Sequence, residues 1–153
     1  MSFSLSHTRG LSAVALSVQE VGIDVERTLS PPHMAELADL FLSPRERDRL
    51  RALPTEKALR WLSLQWTAKE AYLKGIGRGL ASDPRTVECL SDGGVWAEVL
   101  YEGVKTGWVV ATLPCPPDYT GSVAVSSPQA RLVLVDVSTA SRNCPVAVMG
   151  SAR

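Results

Sequence analysis

One uninterrupted helical pattern constrains this chain more than any other feature. It runs from Thr55 to about Ile76, starts after Pro54, and sets Leu59, Leu62, Trp66 and Leu73 at spacings that make a buried stripe. G-I-G-R-G at 75–79 ends it, because glycine leaves helical geometry without a Cβ penalty. Beyond it the pattern changes class. Segments near 85–90, 95–100, 107–113, 120–126 and 131–136 are short and rich in Val, Leu and Tyr, with turn signals D-G-G, E-G, P-C-P-P and S-S-P between them. Their connections are too short for crossover helices, so the strands are expected to be mostly antiparallel. The fold class that follows is α+β, a mostly antiparallel sheet packed against one long and one or two shorter helices.

Upstream of the long helix, L-S-A-V-A-L-S-V at 11–18 reads as a buried strand, and V-G-I-D-V-E at 21–26 as a second. In the second, Val21, Ile23 and Val25 point one way and Gly22, Asp24 and Glu26 the other, so two carboxylates share a face. Pro31 and Pro32 interrupt regular pairing. From His33 to Phe41 the spacing is helical, with Met34, Leu37, Ala38 and Phe41 on one side. Ser43, Pro44 and Glu46 then spell an N-cap, a first-turn proline and a capping-box glutamate. The arginines of the following R-E-R-D-R-L-R form a solvated face. One domain is expected over 1–137, with a C-terminal tail over 138–153 that frays.

The chain carries 16 basic and 16 acidic side chains in 153 residues, a balance that argues against a protein that wraps nucleic acid. Cys89, Cys115 and Cys144 are odd in number and widely separated, which indicates neither a disulfide framework nor a zinc site. No run approaches the ~20 apolar residues of a membrane span, and M-S-F-S-L-S-H lacks the character of a signal peptide. A cytoplasmic protein is expected.

The chemistry concentrates in two places. Asp24 and Glu26 lie on one strand face, and in W-T-A-K-E-A-Y-L-K at 66–74 the long helix sets Glu70 four residues before Lys74, with Lys69 adjacent. Such a Glu–Lys pair is by itself an ordinary surface ion pair worth ~0.3–0.5 kcal/mol. Three carboxylates from a strand and a helix, with lysines beside the third, are however the parts needed to hold a hard divalent cation over a diphosphate. Mg²⁺ takes few carboxylates and completes its octahedron with water and substrate phosphates. Zinc is disfavoured by the lack of a Cys/His cluster. Trp66 and Tyr72 are assigned to packing.

G-I-D-V-E at 22–26, W-T-A-K-E-A-Y-L-K at 66–74 with its G-x-G tail, and S-L-S-H at 4–7 together resemble, in order and spacing, the motifs of the 4′-phosphopantetheinyl transferase superfamily, surfactin-type branch. The similarity runs from about Ser4 to about Val135. It implies a 4′-phosphopantetheinyl transferase-like fold and an enzyme that moves the phosphopantetheine arm of coenzyme A onto a carrier-protein serine, in polyketide, peptide or fatty acid synthesis. By the same resemblance Asp24, Glu26 and Glu70 hold Mg²⁺, Lys69 and Lys74 contact the coenzyme A phosphates, and Lys74 neutralises the departing one. His7, with Ser6 as companion, binds a phosphate of the nucleotide end. The base that takes the serine proton is Glu70 or a metal-bound water. The Arg-rich segment at 45–51 is a contributor to consider for docking an acidic carrier helix.

The chain resembles only the second half of the two-halved surfactin-type enzymes. It is therefore expected to self-associate through an uncovered apolar sheet surface, or to need a missing partner segment. The rival expectation is a half-fold binding module that keeps metal, coenzyme A or carrier-protein contacts without turnover.

Overall fold

The computed structural model describes residues 1–29, 34–79, 82–91 and 95–135. The expected tail, His33, the Met34 side chain, Cys144 and the D-G-G turn lie outside the described residues. Three strands open the chain, β1 (Ser2–Thr8), β2 (Leu11–Ser17) and β3 (Val21–Arg27). Three helices follow, α1 (Met34–Phe41), α2 (Pro44–Arg51) and α3 (Thr55–Gly75). Four strands close it, β4 (Val87–Leu90), β5 (Trp96–Tyr101), β6 (Val104–Thr112) and β7 (Tyr119–Val125).

Strands β3 to β7 form one antiparallel sheet in the order β3-β7-β6-β5-β4, while among the described residues β1 and β2 pair only with each other. This is the α+β architecture expected, and α3 is the long helix laid across the sheet. One sheet face meets α3 through Val99, Val110 and Ala124 against Ala68, Ala71 and Leu73. The other face gathers Val21, Ile23, Val25, Ala111 and Val123 under Ala15 of β2. The alternation read in β3 is thus real, and it aims Gly22 and Asp24 toward α3.

The helices follow their local chemistry. At α2 the Ser43 hydroxyl accepts from the Glu46 amide while the Glu46 carboxylate accepts from the Ser43 amide, a complete capping box with Pro44 in the first turn. Arg45, Arg49 and Arg51 are solvated, as expected. Phe41 packs edge-on to Trp66 at 5.0 Å and Tyr72 to Trp108 at 5.5 Å, so both aromatic residues of the 66–74 segment serve packing.

Three expectations need correction. Residues 2–8 form a strand that the sequence reading did not assign. The 11–18 strand is not buried through its length, because it sits in a two-stranded hairpin where only Ala15 is buried and Val14 is exposed. Residues 131–135 are not a strand, although their Val/Leu character suggested one. The segment lays Leu132 on the second core cluster but leaves Val133, Leu134 and Val135 exposed, with no ladder partner. The long helix, in contrast, ends at G-I-G-R-G as expected, and within that motif the turn is made by Gly77. Gly77 has φ +70°, its amide donates to the Lys74 carbonyl and the Arg78 amide to the Leu73 carbonyl, each at 3.0 Å, which closes α3 in a Schellman turn.

Candidate active site

The site is set by how closely β3 approaches the end of α3. A Cβ on Gly22 would collide with the Ala71 carbonyl and lie 2.5 Å from the Gly75 amide nitrogen, and one on Gly75 would lie 2.5 Å from the Trp108 ring. Two glycines, facing each other, let strand and helix meet backbone to backbone. Asp24 is two residues beyond one of them and Lys74 one residue before the other. The consequence is an ion pair of 2.6 Å between Lys74 Nζ and Asp24 Oδ1.

Asp24 is 3% exposed. Its Oδ1 also accepts from the Ser6 hydroxyl at 2.9 Å, and Lys74 reaches the same hydroxyl oxygen at 3.2 Å. Asp24 Oδ2 and Glu70 Oε1 are both buried without a hydrogen-bond partner among the described residues. Glu70 lies one turn before Lys74 on α3, but Lys74 pairs with Asp24 rather than with Glu70. Burial first and the Asp24 charge second hold the Glu70 carboxyl above its ordinary value, with Glu26 adding to the repulsion and Lys74 opposing it. The half-buried Glu26 is raised for the same two reasons, against contributions from Thr8, Lys74 and His7. The three expected acids therefore sense one another.

Among the described residues, no three His, Cys, Asp or Glu side chains are gathered as a ready ligand set for a metal ion. The Lys74 ammonium supplies the positive charge beside Asp24. The residues nonetheless suit a divalent cation in two respects: two buried carboxylate oxygens have unused lone pairs, and the mutual repulsion of Asp24, Glu26 and Glu70 is of the kind a cation relieves. Asp24, Glu26 and Glu70 are the oxygen donors that would hold it.

Of the other expected site residues, His7 is exposed on β1, close enough to Glu26 to favour its charged form. Ser6 is buried, with its hydroxyl engaged inside the protein. Lys69, expected at the phosphates, is not brought to the acids. It is 0% exposed, and its ammonium donates to the Phe41 carbonyl at 2.7 Å, Glu46 Oε2 at 2.6 Å and the Pro84 carbonyl at 3.0 Å. Burial pulls its pKa down and Glu46 resists that shift. The physical reason is angular: one residue along a helix is about a quarter turn around it, so Lys69 and Glu70 face different surroundings. Glu46, read only as a cap, carries this pair as well. The charged run R-E-R-D-R in which it sits gave no sign of that burial or of its partner.

An antiparallel sheet under one long helix, with a buried acid–lysine cluster where the helix end meets the edge strand, defines an α+β chain with its acids gathered at one place. The sequence model of the 4′-phosphopantetheinyl transferase superfamily matches residues 20–124. The chain belongs to that superfamily. It is 40% identical over 80 residues to the 4′-phosphopantetheinyl transferase HetI of Nostoc sp., covering 52% of this chain and 34% of that protein. To the 4′-phosphopantetheinyl transferase Sfp of Bacillus subtilis it is 28% identical over 137 residues, covering 82% and 60% respectively. The chain thus spans about a third of one relative and three fifths of the other. In fold it is similar to a holo-(acyl-carrier-protein) synthase from Bacillus anthracis, solved in complex with CoA (3′,5′-ADP). The TM-score is 0.56 and the identity 20%, over 69% of this chain and 93% of that one. The holo-[acyl-carrier-protein] synthase of Thermotoga maritima gives a TM-score of 0.54 at 18% identity, over 72% and 65%.

Proposed function

We propose that this chain transfers the 4′-phosphopantetheine moiety of coenzyme A to a serine of an acyl or peptidyl carrier protein, converting apo to holo carrier with the help of Mg²⁺. The observation that carries the reading is the Asp24–Lys74 pair with the neighbouring Glu70 and Glu26, which lie on the G-I-D-V-E and W-T-A-K-E-A-Y-L-K segments that resemble the superfamily's motifs. In this reaction the serine oxygen forms a bond to the phosphorus that bears pantetheine, and the bond from that phosphorus to adenosine 3′,5′-bisphosphate breaks. The serine proton passes to a base, a role proposed for Glu70. Lys74 follows the charge that develops on the departing phosphate, and exposed His7 meets a phosphate of the nucleotide end. Bound Mg²⁺ would neutralise charge on the nonbridging oxygens. Coenzyme A and the carrier protein are the substrates.

The working form is proposed to be a homo-oligomer. Its support is the outward face of the β1–β2 hairpin, where Phe3 is 75%, Leu5 56% and Val14 56% exposed, with Leu5 and Val14 directly paired across the strands. The alternative reading is a module that binds metal, coenzyme A or carrier protein without turnover. The same assay separates the two readings. Purified chain, apo carrier protein, coenzyme A and Mg²⁺ are incubated, and the carrier is weighed by mass spectrometry. Addition of the phosphopantetheine arm, lost in Glu70→Gln, is expected; an unmodified carrier at protein concentrations high enough for self-association contradicts the transferase reading.

A further inference from the structure

Strand β1 is not hydrogen-bonded into the main sheet, yet it runs along the free edge of β3. The connection is made by side chains. The Ile23 amide donates to Ser4 Oγ at 3.1 Å and the Val25 amide to Ser6 Oγ at 3.2 Å. Two serines at i and i+2 thus serve two amides at i and i+2, so the strands run in the same sense with hydroxyls in place of a backbone ladder. An edge strand with buried amides needs such partners.

The two serines differ in what else they touch. A hydroxyl has one proton and two lone pairs. Ser6 uses them all: it donates to Asp24 Oδ1 at 2.9 Å and accepts from the Val25 amide and, at 3.2 Å, from Lys74 Nζ. It is 5% exposed. No hydrogen-bonding capacity remains for an incoming phosphate.

We propose that Ser6 is a positioning residue: its hydroxyl, delivered by β1, fixes the Asp24 carboxylate and the Lys74 ammonium against each other and against the β3 backbone. Ser4, one pleat away, performs only the attachment. The catalytic half of this inference rests on the transferase reading; the structural half does not.

The test uses the whole chain and four variants, Ser4→Ala, Ser6→Ala, Ser6→Thr and Ser6→Cys. Amide hydrogen exchange followed by NMR should accelerate at Val25 at least tenfold in Ser6→Ala with little change at Ile23, and the reverse in Ser4→Ala. In the transfer assay, kcat should fall tenfold or more in Ser6→Ala while KM for coenzyme A stays within threefold. Ser6→Thr, which keeps a hydroxyl, should recover most of the rate. Should Ser6→Ala fail to fold, Ser6→Cys, with its weakly hydrogen-bonding thiol, carries the same comparison. Unchanged Val25 exchange overturns the proposal, as does a tenfold rise in KM at constant kcat, which would make the hydroxyl a substrate ligand. A wild-type chain that transfers nothing sinks the transferase reading alone, because the exchange data still decide what Ser6 holds.

Discussion

Lys69, Glu70 and Lys74 sit within six residues of one helix and do three different things, because each faces a different neighbour. Lys69 is enclosed by Phe41, Glu46 and Pro84. Replacing it by Met leaves Glu46 buried without its cation, and breaking a buried pair on one side costs about 3–5 kcal/mol. Lys69→Met should show that loss in urea unfolding, and a loss below about 1 kcal/mol would contradict the enclosed pair. Glu70 has the opposite balance: it is a charge the fold tolerates rather than uses. Its carboxyl is held above the ordinary 4.5 by burial and by Asp24. In the window between the ordinary and the raised value the folded state binds more protons than the unfolded one, so stability falls as pH rises through it. Without divalent cation at pH 7, Glu70→Gln should therefore raise Tm and flatten the pH dependence above the ordinary 4.5. Thermal unfolding between about pH 4 and pH 8 measures both. A lower Tm in the variant would show that the charge is stabilised, contrary to this account.

At the scale of elements, the decisive contact is between β3 and the last turn of α3. Gly22 and Gly75 allow it, and any side chain at 22 must displace the Ala71 carbonyl. Gly22→Ala should cost about 1–3 kcal/mol or more as an overpacked contact, and should lower transfer activity by separating Asp24 from Lys74. Circular dichroism melts and the transfer assay check the two effects, and a variant as stable and active as the parent would refute the close approach. Much of this geometry was legible in the sequence. Proline at 54, the stripe through Leu62 and Leu73, and the alternation of Val21, Ile23 and Val25 each follow from a local period, and local periods set elements. What escaped was relational. Nothing in S-L-S-H shows that Ser4 and Ser6 would serve as hydroxyl rungs for β3, since that depends on a strand 19 residues away. Lys69 looked equivalent to Lys74 because adjacency in sequence conceals a quarter turn in space. The Val/Leu run at 131–135 looked like a strand because composition reports burial preference, whereas a strand also requires a partner edge.

For the molecule as a whole, Asp24 of β3 and Lys74 of α3 are joined through Ser6 of a hairpin that belongs to neither the main sheet nor the helical layer. That hairpin presents hydroxyls inward and apolar side chains outward, so the same strand that orders the site also carries the face proposed for self-association. These groups, with Glu26 and Glu70, are proposed to form a single site for a divalent cation and a diphosphate. Titration of coenzyme A into the chain by calorimetry, with and without Mg²⁺, tests it most directly. Binding at least tenfold tighter with Mg²⁺, and loss of that Mg²⁺ effect in Glu70→Gln, is the result the account predicts. Equal affinity with and without Mg²⁺, or an undiminished Mg²⁺ effect in the variant, would contradict it.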